Sequence, residues 1–277
     1  QGSGWANISD SKWGISYGIK NFLKEYPKEI YFNDLDQEAI AYLWSPNASP
    51  MSFERSDLKP DQGMIANFAE GITKTSELVI HFHKVSKVKV DLKSTMAYFL
   101  DPPVASADPS VYSRSGVYGN FSPRTNKNKG FERTIDYKFY WQQFNQDWEP
   151  WYGMFDYGDQ KNIFYKNQWI RWQNNEPAID FMYWIQFMRT GDPVYYNAAE
   201  AMSRHTMDVD NVHWPKDPEY YGDTNDAIDF WKINNAQITK SIASPYLGIG
   251  RRHASQHWSA LLSAHVWNQG WIASYYL

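Results

Sequence analysis

The spacing of apolar residues along the chain changes character near residue 131. Before it, apolar runs are short and are bounded by Asn, Asp and Pro. Glu29-Ile30-Tyr31-Phe32 and the run from Ala39 to Trp44 have the length and β-forming composition of strands. Glu77 to His83 alternates apolar and polar residues with period two, the pattern of a half-buried strand. Gly63 and Gly71 punctuate the segments between. These features predict the end of a β-sandwich rather than a complete one. Between 84 and 130, Pro102-Pro103, Asp108-Pro109 and the glycines from 116 to 130 break the chain into a long connection. It has room for at most one short helix, near Lys93 to Leu100.

Beyond 131 the period is helical. Phe131 to Gln146 is a first helix, and Pro177 to Arg189 a second that is apolar almost all round, which predicts burial on every side. Thr190-Gly191-Asp192-Pro193 ends that helix and starts the next within four residues. The third, Val194 to Asp208, carries Tyr195, Ala198, Ala199 and Met202 on one stripe, as a helix with one wet face does. A fourth is expected from Ser255 to Leu277, broken near Gly270. A buried helix alternating with an amphipathic one across a tight turn is the unit of a two-layer (α/α) toroid. A four-helix bundle competes, although bundles seldom need loops this long. The expected fold class is α+β and multidomain. A partial β-sandwich spans 1–90, a connecting segment 91–130, and an incomplete (α/α) toroid 131–277.

The tight turn also orders the chemistry. If the second helix enters from one end, the third returns to that end. Asn174, Asn175 and Glu176 then lie near Arg204, His205, Asp208, Asp210 and His213. The loop preceding the second helix brings Trp148, Trp151, Tyr152, Asp156, Tyr157 and Asp159 there. The start of the fourth brings Arg251, Arg252, His253 and His257, with Trp258. Long loops on a rigid scaffold are where function concentrates. Plainer roles compete for these residues. Asp208 and Asp210 are also placed to cap a helix end, and Asn174 to Glu176 to form an N-cap with a first-turn acid. His205, Asp210 and His213 could form a metal cluster, but no HExxH-type spacing supports it.

Composition narrows the partner. Of 277 residues, 18% are aromatic, with 14 Trp and 20 Tyr. Flat aromatic faces suit the C–H faces of sugar rings, and Tyr and Trp add a polar handle. A net charge of −4 argues against nucleic acid, whose recognition needs a basic excess. No apolar run reaches membrane-spanning length. The absence of Cys excludes disulfides, thiolate nucleophiles and Cys-type zinc sites, and suits a secreted, periplasmic or cell-surface protein. The chain opens on Gln1 and stops at Tyr275-Tyr276-Leu277 inside an expected helix, so the rest of a longer chain is expected as a partner.

Several segments resemble polysaccharide lyases of the rhamnogalacturonan exolyase type. They are Glu70 to Glu77, Trp151 to Asp159, Asn174-Asn175-Glu176, Arg189 to Asp192, Arg204-His205 through His213, and His253 through Trp258. The resemblance runs over roughly residues 60 to 277, and ulvan lyases of the same architecture stand close to it. It implies a β-sandwich followed by a toroid, and β-elimination on uronate-containing, often rhamnose-containing polysaccharides.

Such a reaction needs a group to hold the uronate carboxylate, a base for the C5 proton and an acid for the leaving oxygen. Arg251 and Asn175 are the candidates for the carboxylate. His205, His213 and His257 are candidates for the base, and Tyr152 and Tyr157 for the acid. Trp151 and Trp258 would be stacking platforms, and Asp156, Glu176, Arg252 and His253 further substrate contacts. No cofactor is called for, with calcium kept open as a helper. A glycoside hydrolase using Glu176 with Asp156 or Asp210, and a non-catalytic sugar-binding protein, are the alternative readings.

Overall fold

The computed structural model describes residues 4–33, 35, 38–51, 73–85, 91–116, 118–164, 169–172, 179–205 and 208–209. The chain divides into two units. The first holds residues 1–51 and 75–105, the second 52–74 and 106–277. Strands and helices are both present, so the class is α+β.

In the first unit, β1 (Trp5–Ser9), β2 (Trp13–Ile19) and β5 (Leu78–Lys84) form an antiparallel sheet in the order β1-β2-β5. β3 (Glu29–Asn33) and β4 (Glu38–Tyr42) form a separate antiparallel pair. Tyr17 on the central strand links the two sheets. Its hydroxyl donates to the carbonyls of Tyr31 (3.2 Å) and Ile40 (3.3 Å), and its ring meets Phe32 edge-on at 5.4 Å. Burial raises the pKa of this phenol above its ordinary value. β1 and β2 are broken by glycine and serine and show no strong alternation, so only the sheet pairing reveals them.

The period-two reading of β5 identifies a strand but predicts the wrong face. Leu78, Ile80 and Phe82 are exposed, while His81 and His83 are half-buried. Pairing with β2 decides this. His83 lies opposite Gly14, where a Cβ would collide with the imidazole, and its Nε2 is 2.8 Å from Asn7 Oδ1. His81 stacks on His83 at 5.6 Å and meets Phe99 of α1 (Leu92–Leu100) at 5.8 Å. α1 lies where the sequence predicts its one short helix. Asp91 caps it, accepting from Ser94 N at 3.1 Å.

The second unit contains a helix that the Pro- and Gly-rich connection was not expected to hold. α2 (Pro109–Ser115) starts on Asp108, which caps Ser110 N at 2.8 Å, and stops on Gly116 in the left-handed region. The breakers are its boundaries. α3 (Lys129–Trp148) follows a single 3-10 turn (Asn126–Asn128). A hairpin of β6 (Lys161–Phe164) and β7 (Trp169–Trp172) interrupts what reads from sequence as continuous loop. α4 (Ile179–Thr190) and α5 (Pro193–His205) complete the described elements. The expected fourth helix, Ser255 to Leu277, lies outside the described residues.

The α4–α5 turn forms as its residues require. Gly191 takes φ +72°, Asp192 Oδ1 accepts from Val194 N at 3.0 Å, and Pro193 occupies the first helical position. The helices then pack antiparallel. Asp180 in the first turn of α4 accepts from Ser203 Oγ in the last turn of α5 (3.2 Å), and Trp184 Nε1 donates to the same Oγ (3.0 Å). Tyr195, Ala199 and Met202 bury the predicted stripe of α5. α4 is not buried on every side, because Met182 is 55% exposed.

α3 joins this pair through Phe139, whose ring lies 5.1 Å from that of Tyr183 and 4.3 Å from that of Tyr195. One turn earlier, Asp136 accepts from the Tyr195 hydroxyl at 2.9 Å and from Arg124. Glu132 pairs with Arg189 near the end of α4. The opposite face of α3 exposes Tyr137, Tyr140, Trp141, Phe144 and Trp148. α3 therefore carries a run of exposed rings along one helix face.

Burial pushes the Asp136 carboxyl toward protonation, but hydrogen bonds from Arg124 and Tyr195 outweigh it and hold its pKa below the ordinary value. A carboxylate whose pKa is lower folded than unfolded adds stability above its unfolded pKa, and that stability is lost as pH falls through the folded one. The urea midpoint should therefore drop as pH is lowered from about 5 to 3. Asp136→Asn should flatten part of that drop and cost about 1–3 kcal/mol at pH 7. An unchanged pH profile in the variant would remove the assignment.

Candidate functional site

A polar cluster lies where the α4–α5 geometry places the chemistry, at the starting end of α4 and the finishing end of α5. Residues 151–160 reach it by a path that glycine permits. Gly158 has φ +77°, and a Cβ there would collide with the backbone at Ala201 and Met202. The loop therefore lies directly on α5, and its two neighbours, Tyr157 and Asp159, are fixed against that helix.

Tyr157 is buried, at 1% exposure. Its hydroxyl is 2.6 Å from Asp208 Oδ2 and 3.3 Å from the Arg204 carbonyl. The His205 ring meets it edge-on at 5.8 Å, and His205 Nε2 lies 3.5 Å from Asp159 Oδ2. That contact becomes an ion pair when the imidazole is protonated. Lys74 completes the group, its ammonium 3.7 Å from the centre of the Tyr157 ring. Thr73 anchors this segment, its backbone N–H (3.0 Å) and its hydroxyl (3.2 Å) both donating to the Asp208 carbonyl. Tyr152 is half-exposed and inclined to Tyr157 at 6.2 Å, and Asp156 is also half-exposed.

The sequence-predicted residues divide three ways. Tyr152, Asp156, Tyr157 and His205 come together. Trp151 belongs to the same loop, but its role changes. It is 4% exposed and its indole N–H donates to Glu149 at 2.6 Å, so its faces are packed inside and offer no platform to a sugar. Asn175, Glu176, His213, Arg251, Arg252, His253, His257 and Trp258 lie outside the described residues. Sequence reasoning gave Lys74 and Thr73 no place at the site, although their segment, Glu70 to Glu77, is among those that carry the resemblance. They are far from the cluster in sequence, and a Thr-Lys-Thr-Ser run carries no spacing that marks it. Asp208 is expected either in the convergent set or as a helix cap. It accepts the Tyr157 hydroxyl beyond the end of α5, within the convergent set.

Among the described residues, no group of three or more His, Asp or Glu could hold a metal ion. No helix among them is long and apolar enough to cross a membrane.

Comparison with known proteins places this geometry. Residues 102–217 match the family model described as the PcRGLX-like protein C-terminal alpha/alpha toroid domain. The matched stretch contains α2 to α5 and every member of the cluster except Thr73 and Lys74. It supports a rhamnogalacturonan-lyase-like, carbohydrate-active class for this part of the chain. A curated relative from Bacillus subtilis (strain 168), called uncharacterized protein YetA, is 24% identical over 271 residues. That alignment covers 88% of this chain, which spans only 28% of the relative's length.

The Gly158 contact is directly testable. Gly158→Ala adds a Cβ in a left-handed conformation against backbone that cannot move aside. The variant should lose roughly 2–4 kcal/mol of stability, read as a lower thermal midpoint. A midpoint equal to wild type would show that the loop does not lie on α5.

Proposed function

We propose that this chain carries the reacting part of a polysaccharide lyase. The substrate is a uronate-containing, rhamnose-rich polymer of the rhamnogalacturonan or ulvan type, cleaved by β-elimination. One observation supports this above others. Acid–base groups from three separate stretches (Lys74, the Tyr152–Asp159 loop, and His205 with Asp208) converge at one end of the helix pair, mostly within the stretch that matches the toroid domain.

The chemistry divides among these groups. The C5–H bond of the uronate breaks and its electrons form the C4=C5 double bond. The base takes the C5 proton, the C4–O4 bond breaks as that double bond forms, its electron pair leaves with O4, and the leaving oxygen takes a proton from the acid. Cations that neutralise the carboxylate stabilise the developing charge. Lys74 is a half-exposed cation suited to that task, as is Arg251, and Asn175 would add a neutral hydrogen bond to the carboxylate. Tyr152, the half-exposed phenol, is the acid for the leaving oxygen. Tyr157 and His205 are buried behind it, so we assign them to positioning. Asp208 holds the first and Asp159 the second. The base is then His213 or His257. The polymer lies outside cells, so we assign the protein to secreted, periplasmic or cell-surface material.

The test is incubation with a panel of uronate polysaccharides, following the ultraviolet absorbance of the C4=C5 product. At least one polymer should give a rising signal, and Tyr152→Phe should slow turnover by about 10²–10⁴-fold. New reducing ends without absorbance would mean hydrolysis. No cleavage of any polymer would leave a sugar-binding protein without lyase activity.

A further inference from the structure

A pocket of about 500 Å³ opens at the other end of α4, lined by residues of the α3 start and the α4 finish. α4 has 12 residues, so this pocket and the Tyr157–His205 cluster are separated by roughly 18 Å along the helix. Four cations line it: Arg124, Lys129, Arg133 and Arg189.

Two of them are committed to the fold. Arg189 donates to the Ser122 carbonyl (2.9 Å), to Gln186 (2.8 Å) and to Glu132, and Arg124 pairs with Asp136. Glu132 and Asp136 thus offset two of the four charges. Lys129 and Arg133 are exposed, and their side chains engage in no hydrogen bond or ion pair among the described residues. In a chain of net charge −4, this wall holds two cations in excess of its carboxylates. Thr125 and Asn126 add neutral hydrogen-bonding groups to the same wall.

We propose that this pocket is a second binding site for an anionic sugar, with Lys129 and Arg133 receiving the carboxylate of a uronate unit. The sign of the wall selects an anion, because a charge-assisted hydrogen bond to carboxylate is about twice as strong as a neutral one. The volume leaves room for a sugar around the anion. It falls within the range of small-molecule sites, roughly 300–1,000 Å³, and a lone phosphate would leave most of it unfilled. The proposal rests on the uronate reading of the substrate. It adds a hold on the polymer far from the reacting bond, which would keep a cleaved chain on the protein.

The test uses the full chain at low ionic strength and follows amide hydrogen exchange over residues 124–133. Oligogalacturonate should slow exchange there in wild type. In the double variant Lys129→Gln, Arg133→Gln the protection should need at least tenfold more ligand, with the thermal midpoint unchanged. Carboxyl-reduced oligomer of the same length should give no protection. Absence of protection in wild type overturns the proposal, as does equal protection by the neutral oligomer or by the double variant. Protection by inorganic phosphate as strong as by the oligomer reduces the pocket to a generic anion site and also overturns it. Protection here without an ultraviolet product retains this site and removes the lyase reading. Product without protection removes this site alone.

Discussion

The antiparallel packing of α4 on α5 is the constraint on which the second unit depends. Four residues, Thr190 to Pro193, reverse the chain, and the rest of the local geometry follows. The reversal brings Asp180 to Ser203 at one end, and puts Arg189 and Thr190 at the other. Chemistry delivered to the first end by the 151–160 loop meets His205 and Asp208. The second end meets α3 through the Arg189–Glu132 pair. The turn thus sets the first site, while the second rests on how α3 and the 122–126 segment hold the end of α4.

The aromatic content reads differently once the packing is known. Phe139, Tyr183, Trp184, Phe187 and Tyr195 are buried side chains that make the core between α3, α4 and α5. Several add a hydrogen bond that an aliphatic residue could not, such as Tyr195 to Asp136 and Trp184 to Ser203. Trp151 and Tyr157 are spent the same way within the loop. Composition correctly indicated an unusual use of rings. It did not distinguish rings that satisfy buried polar groups from rings that meet a sugar, because both uses call for the same side chains.

Local signals were read well where one residue governs its own conformation. Gly191, Asp192 and Pro193 are stop, cap and first helical residue, and the helices on either side fall close to the predicted bounds. The reading weakened where a partner decides. β1 and β2 depend on each other and on β5, and their glycines blur any alternation. β5 exposes Leu78, Ile80 and Phe82 because β2 presents Gly14, and β1 beyond it Asn7, to the histidine face. α2 was concealed by the prolines and glycine that bound it.

The sequence by itself determined the helices near 131–148, 179–190 and 193–205, the tight turn between the last two, and hence which loop and which helix end share a face. Those properties follow from backbone preferences and apolar spacing, which act over a few residues. Only the tertiary structure brought Lys74 over Tyr157 and Thr73 onto Asp208. Only it turned Trp151 inward and gathered Lys129 and Arg133 beside Arg189. Such contacts join residues tens of positions apart. Their energies depend on which side chains the packed backbone brings within a few ångströms, and no local pattern records that.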